Sequence, residues 1–126
     1  MRPLLLSLLL CCSAFTQAAI QTREMPYTGP DGTQLIGYLA WDDAIAGARP
    51  GVVVVHEWWG LNDYAKRRAR DLAALGYSAL AIDMYGGGKN TQHPDDAKAF
   101  MSAAMASSEA AKARFNAGLE LLKAQQ

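Results

Sequence analysis

Two short stretches carry the residue types that do chemistry: His56-Glu57-Trp58-Trp59-Gly60, directly after Val52–Val55, and Asp83-Met84-Tyr85-Gly86. A carboxylate placed as Glu57 is can orient or activate a neighbouring nucleophile. It can equally form an ion pair with a nearby arginine, and residue type alone does not separate the two. The backbone N–H that follows, on Trp58, is free to donate if the chain turns there from strand to helix. A free N–H aimed at a carbonyl is half of an oxyanion hole. Trp58 and Trp59 suit either an apolar pocket or core packing. Neighbours on extended chain face opposite ways, so each task falls to one of them at most. Trp59 and Tyr85 are the candidate substrate contacts.

Other chemistries fail on spacing. The pair His56-Glu57 opens like the zinc motif H-E-x-x-H, but position 60 is glycine and the segment begins as a strand. His56 is then expected to be a structural histidine hydrogen-bonded within the sheet. A phosphate-binding loop through "YGGGKN", residues 85–90, would need glycine at position 83 and serine or threonine at position 90. The chain has Asp83 and Asn90 there. The glycines are expected to serve a tight turn instead. No metal or organic cofactor is expected. No G-x-S-x-G or G-x-C-x-G nucleophile elbow occurs, and His93 has no evident partner, so these residues assemble no catalytic triad.

The elements that must position these groups follow from periodicity. "TREMPY" and "QLIGYLAW" flank Gly29-Pro30-Asp31-Gly32, a strong turn, and predict an antiparallel hairpin at a sheet edge. "VVVV" is unbroken and β-branched, as in a parallel strand covered on both faces. Asn62 is a candidate cap for a helix running to Leu75, with Ala65, Ala69, Leu72 and Ala73 on one face and Lys66, Arg67 and Arg70 pointing largely outward. Gly76 supplies the stop, and "YSALAID", residues 77–83, is a second buried strand. Strand, helix, strand makes a right-handed βαβ unit. Ligands of open α/β sheets bind at the carboxyl ends of such strands, where both chemical stretches fall. Pro94 opens a helix to about Met105. A last helix from about Ser108 lines up Ala111, Phe115, Leu119 and Leu122. Two parallel strands would leave apolar edges unpaired, so the fold is expected to be cut off in its middle.

The first 18 residues read as a secretory signal: Arg2, a short apolar run from Leu4 to Cys12, then small residues up to Ala18. The run is shorter than the roughly 20 residues of a membrane span, so no stable membrane anchor is expected. Export to the periplasm or medium is. Cleavage near Ala18 removes both cysteines and leaves 11 basic against 12 acidic residues. That balance excludes the basic footprint of a nucleic-acid binder. Residues 19–126 suffice for one small domain, and their oligomeric state is left open.

The stretch "VVVVHEWWGLNDYAKRRARDLAALGYSALAIDMYGG", with its "HEWWGLN" and "GYSALAIDMYG", resembles the N-terminal half of the dienelactone hydrolase family. The resemblance covers about residues 27–126. It implies a partial α/β-hydrolase fold: an N-terminal hairpin, a parallel βαβ unit and two further helices, truncated before the nucleophile elbow. It further implies that Glu57 contacts and tunes a catalytic cysteine, that the Trp58 N–H helps form the oxyanion hole, and that the family's Cys, Asp and His lie further along. Members acting on dienelactones hold the substrate carboxylate with arginine. The region "HPDDAKAFMSAAM" has none, a departure from the dienelactone pattern. The expected function is cleavage of a small ester or lactone through a covalent acyl-enzyme, with this chain alone inactive. The alternative is a small exported binding module that holds an apolar ligand in an aromatic-lined pocket without chemistry.

Overall fold

The computed structural model describes residues 19–125; the expected signal peptide lies outside them. Strands β1 (Ile20–Thr28), β2 (Gln34–Asp42), β3 (Gly51–Val55) and β4 (Ser78–Ile82) form one sheet in the order β1-β2-β4-β3. Helix α1 (Asp63–Ala74) joins β3 to β4, and α2 (Pro94–Met105) and α3 (Ser108–Lys123) follow. The hairpin and the parallel β3–β4 pair form as the sequence predicts. The two meet through β2, which runs antiparallel to β4, so the sheet is mixed and four-stranded.

Period-two alternation along the inner strands builds two cores. On one face Ala40, Ala79 and Ala81 meet Ala65, Ala69 and Ala73 of α1. Small residues on both sides let this helix lie close to the sheet. On the other face Leu39, Leu80 and Ile82 meet Leu122 and Phe115 of α3. Gly118 makes that contact possible, since a Cβ there would stand 2.4 Å from Ile82 Cγ2.

The caps are as read from sequence, with small shifts. The Asn62 side chain accepts from the Ala65 N–H at 3.1 Å. Helix α1 stops one residue before the expected Leu75, which becomes its C-cap, and Gly76 follows at φ +96°. Arg67 is exposed as expected, whereas Lys66 and Arg70 are half-buried. They fold back onto the hairpin, where Lys66 pairs with Glu24 at 3.4 Å and Arg70 donates to the Tyr38 hydroxyl at 3.0 Å. Their long stems can cover apolar surface while the charge stays wet.

The valine run is covered on both faces as expected, with Val54 packed toward α1 and Val53 toward α3. Strand β3 lies at the sheet edge, however, with only β4 beside it, so Val52–Val54 are half-buried and Val55 is 51% exposed. The opposite edge, β1, exposes Thr22, Arg23 and Glu24, the charged composition that protects an edge from further pairing. The two edges are therefore chemically unlike. Among the described residues no helix is long and apolar enough to cross a membrane, and no group of three or more His, Cys, Asp or Glu is placed to hold a metal.

Candidate active site

The ends of β3 and β4 are tied together by His56. Its Nε2 accepts the Met84 N–H at 3.2 Å, so the ring proton sits on Nδ1, which donates to the Glu57 carbonyl at 2.7 Å. Both ring nitrogens are thereby used, and the ring packs edge-on against Tyr85 at 4.6 Å. The structural reading of this histidine holds. Tyr85 extends the tie by donating its hydroxyl to the Trp58 carbonyl at 3.0 Å. Burial pushes its phenol above the ordinary 10.0.

After His56 the chain turns at once. The Gly60 N–H donates to the Glu57 carbonyl at 3.1 Å, and Gly60 takes φ +89°. A side chain there would collide with the Lys89 carbonyl, 2.1 Å from an ideal Cβ. This turn corrects the expectation that Trp58 and Trp59 face opposite ways. The alternation rule needs extended backbone, and on the turn their rings pack together at 5.1 Å.

Glu57 is exposed, and its carboxylate makes no hydrogen bond or ion pair with any described residue. The expected cost of a carboxylate at a buried strand end does not arise, because β3 is an edge. The alternative ion pair does not form either: Arg68 pairs with Asp71 at 3.2 Å. The Trp58 N–H likewise has no acceptor among the described residues. Glu57 and Trp58 line one cleft of about 250 Å³, together with Val55, Tyr85, Met101 and Met105. Trp59 lines a separate recess with Asn62, Thr91 and Gln92. Three of the four sequence-derived residues thus share a cleft, and Trp59 adjoins it through Trp58.

Asp83 does not open onto the rim as its position at a strand end suggests. It is fully buried. Its Oδ1 accepts from the N–H groups of Tyr85 and Gly86 at 3.0 and 2.8 Å, and its Oδ2 from Ile36 and Gly88 at 3.2 and 2.7 Å. Gly86, Gly87 and Gly88 all have positive φ, which lets the loop wrap around this one carboxylate. The loop then returns to the tryptophan turn, where Leu61 donates to the Lys89 carbonyl and Thr91 to that of Trp59.

Sequence reasoning missed Arg114. From α3 it donates to the Met84 carbonyl at 3.0 Å and to Asp31 and Thr33 of the hairpin turn at 3.1 Å each. Two hydrogen bonds from Thr33 and then the Arg114 guanidinium hold the Asp31 carboxyl down at about 2. No local pattern marks Arg114, since its partners lie 30 and more than 80 residues away.

Comparison with known proteins follows the same outline. The family model described as "Dienelactone hydrolase family" matches residues 35–126. An Escherichia coli (strain K12) chain named as a hydrolase fragment, YghX, is 43% identical over 70 residues, which are 55% of this chain and 60% of that one. The solved structure of m3DLH superposes with a TM-score of 0.78 at 42% identity, covering 84% of this chain and 44% of its own. The dienelactone hydrolase-like promiscuous phosphotriesterase P91, from metagenomic libraries, gives 0.78 at 39% identity, covering 85% and 44%. The chain therefore spans less than two thirds of the relatives it matches.

Proposed function

The chain belongs to the dienelactone hydrolase family, and from that premise we propose that it builds the supporting side of a hydrolytic site for a small ester or lactone. The carrying observation is that the Glu57 carboxylate and the Trp58 N–H, neither paired with a described residue, line one cleft at the end of a parallel strand.

In this reading a Cys or Ser outside these 126 residues attacks the substrate carbonyl. The Trp58 N–H donates to the oxyanion of the tetrahedral intermediate, and Glu57 tunes ionisation of the nucleophile. The alcohol leaves with a proton from the base, and water then cleaves the acyl-enzyme to the free acid. In the same reading the base and the orienting acid also lie outside these 126 residues. The neighbour named as a phosphotriesterase widens the candidate electrophiles to uncharged phosphotriesters.

The test compares the chain alone with the chain complemented by a segment bearing the elbow, Asp and His. Alone it should not hydrolyse a p-nitrophenyl ester. Complemented, it should show an acyl-enzyme burst, and Trp58→Pro, which deletes the N–H, should lose about 10²–10³ in kcat relative to Trp58→Ala, which keeps it. Turnover by the chain alone, abolished by Glu57→Gln, contradicts the proposal. Export belongs to the same proposal. N-terminal sequencing of periplasmic or secreted protein should begin at Ala19, and an intact Met1 would refute it.

A further inference from the structure

The Trp58 N–H shares its peptide with the Glu57 carbonyl, and a planar trans peptide points the two in opposite directions. That carbonyl accepts twice, from His56 Nδ1 at 2.7 Å and from the Gly60 N–H at 3.1 Å. Two donors on one oxygen fix the plane, and with it the direction of the N–H. The next peptide is held as well, because the Trp58 carbonyl accepts the Tyr85 hydroxyl at 3.0 Å. Both planes that meet at the Trp58 Cα are thus anchored. His56 is itself held. It is 9% exposed, its Nε2 accepts the Met84 N–H at 3.2 Å, and the Met84 carbonyl is bound in turn by Arg114 at 3.0 Å. The anchors therefore come from the buried end of β4 rather than from the open edge of β3.

Resting on the hydrolytic reading above, we propose that His56 is a positioning residue, which aims and polarises the Trp58 N–H as an oxyanion donor. A donor that must meet developing charge acts best when its direction is set before the reaction. A neutral imidazole suits that task, since it accepts on one nitrogen and donates on the other. The Met84 N–H, the imidazole, the Glu57 carbonyl and the Trp58 N–H then form one polarised chain. Each bond in such a chain strengthens the next, so the Trp58 N–H becomes a better donor than an isolated amide. A histidine serving only to tie β3 to β4 needs its Nε2 bond to Met84. Aiming the N–H needs the Nδ1 bond to Glu57 instead, and the two can be separated chemically.

Asparagine carries a side-chain amide near the place of Nδ1, and glutamine carries one near the place of Nε2. His56→Asn therefore keeps a donor for the Glu57 carbonyl, and His56→Gln keeps an acceptor for the Met84 N–H. In the unaltered chain, ring ¹⁵N shifts should show the neutral tautomer with its proton on Nδ1. A proton on Nε2 overturns the proposal without any variant. The Trp58 amide ¹⁵N resonance should stay near its native position in His56→Asn and move upfield in His56→Gln, where the polarising bond is lost. In the complemented protein, His56→Gln should lower kcat by about 10–10²-fold with KM unchanged, and His56→Asn should restore most of it. Equal losses in both variants, or a larger loss in His56→Asn, reduce the residue to a strand tie and overturn the proposal. The Nδ1 tautomer and the expected Trp58 shifts, without hydrolysis in the complemented protein, support the positioning and remove the hydrolytic reading. Hydrolysis that is unchanged in His56→Gln does the reverse.

Discussion

At Asp83 a fully buried carboxylate receives four backbone N–H groups and so fixes the path of the loop from Tyr85 to Gly88. Replacing it with alanine leaves four donors without an acceptor. Each lost bond costs about 1 kcal/mol or more, so Asp83→Ala should lower unfolding stability by more than about 3 kcal/mol in urea titration. Asp83→Asn should fall between, because one of its two acceptor oxygens becomes a donor facing N–H groups. Nothing local in "AIDMYGGG" states that this acid points inward. Its direction is set by three successive positive-φ glycines, and glycine permits that conformation without requiring it. His56 was more legible: a histidine lacking metal-ligand spacing was expected to be a satisfied sheet residue, and both its nitrogens are satisfied.

At the scale of elements, periodicity was a good guide to existence and a weaker one to contact. Helix α3 runs from Ser108, capped by the Ser107 side chain at 3.2 Å, and Leu122 is buried as its spacing suggests. The closest approach falls at Gly118, which hydrophobic spacing does not mark because glycine has no side chain to count. Gly118→Ala would push a methyl group into Ile82, an overpacking cost of about 1–3 kcal/mol. We expect a lower midpoint in chemical denaturation with an unchanged slope. Strand β3 shows the converse. Four valines correctly marked a strand, but burial depends on which strands lie beside it, and only β4 does here.

Across the whole molecule, Arg114 joins the hairpin turn, the end of β4 and α3 through Asp31, Thr33 and Met84. The Asp31 carboxyl is depressed in the fold from 3.8 to about 2. A group whose folded value is lowered stabilises the fold above its unfolded value and loses that contribution as pH falls through the folded one. The Asp31 contribution should therefore be complete above about pH 5 and be lost as pH falls through about 2. Asp31→Asn should flatten the stability curve across that window and leave the slope at neutral pH unchanged, as measured by urea midpoints at a series of pH values. The sequence alone determined the order of elements, the caps at Asn62 and Gly76, and the residues worth testing, because these depend on contacts within a few residues. It also carried the family pattern. Only the tertiary structure decided that Asp83 is buried, that Glu57 stands at an edge with no partner among the described residues, and that Glu57, Trp58 and Tyr85 share a cleft with Met101 and Met105. Each of those facts depends on which distant segments lie side by side, and no local spacing encodes that.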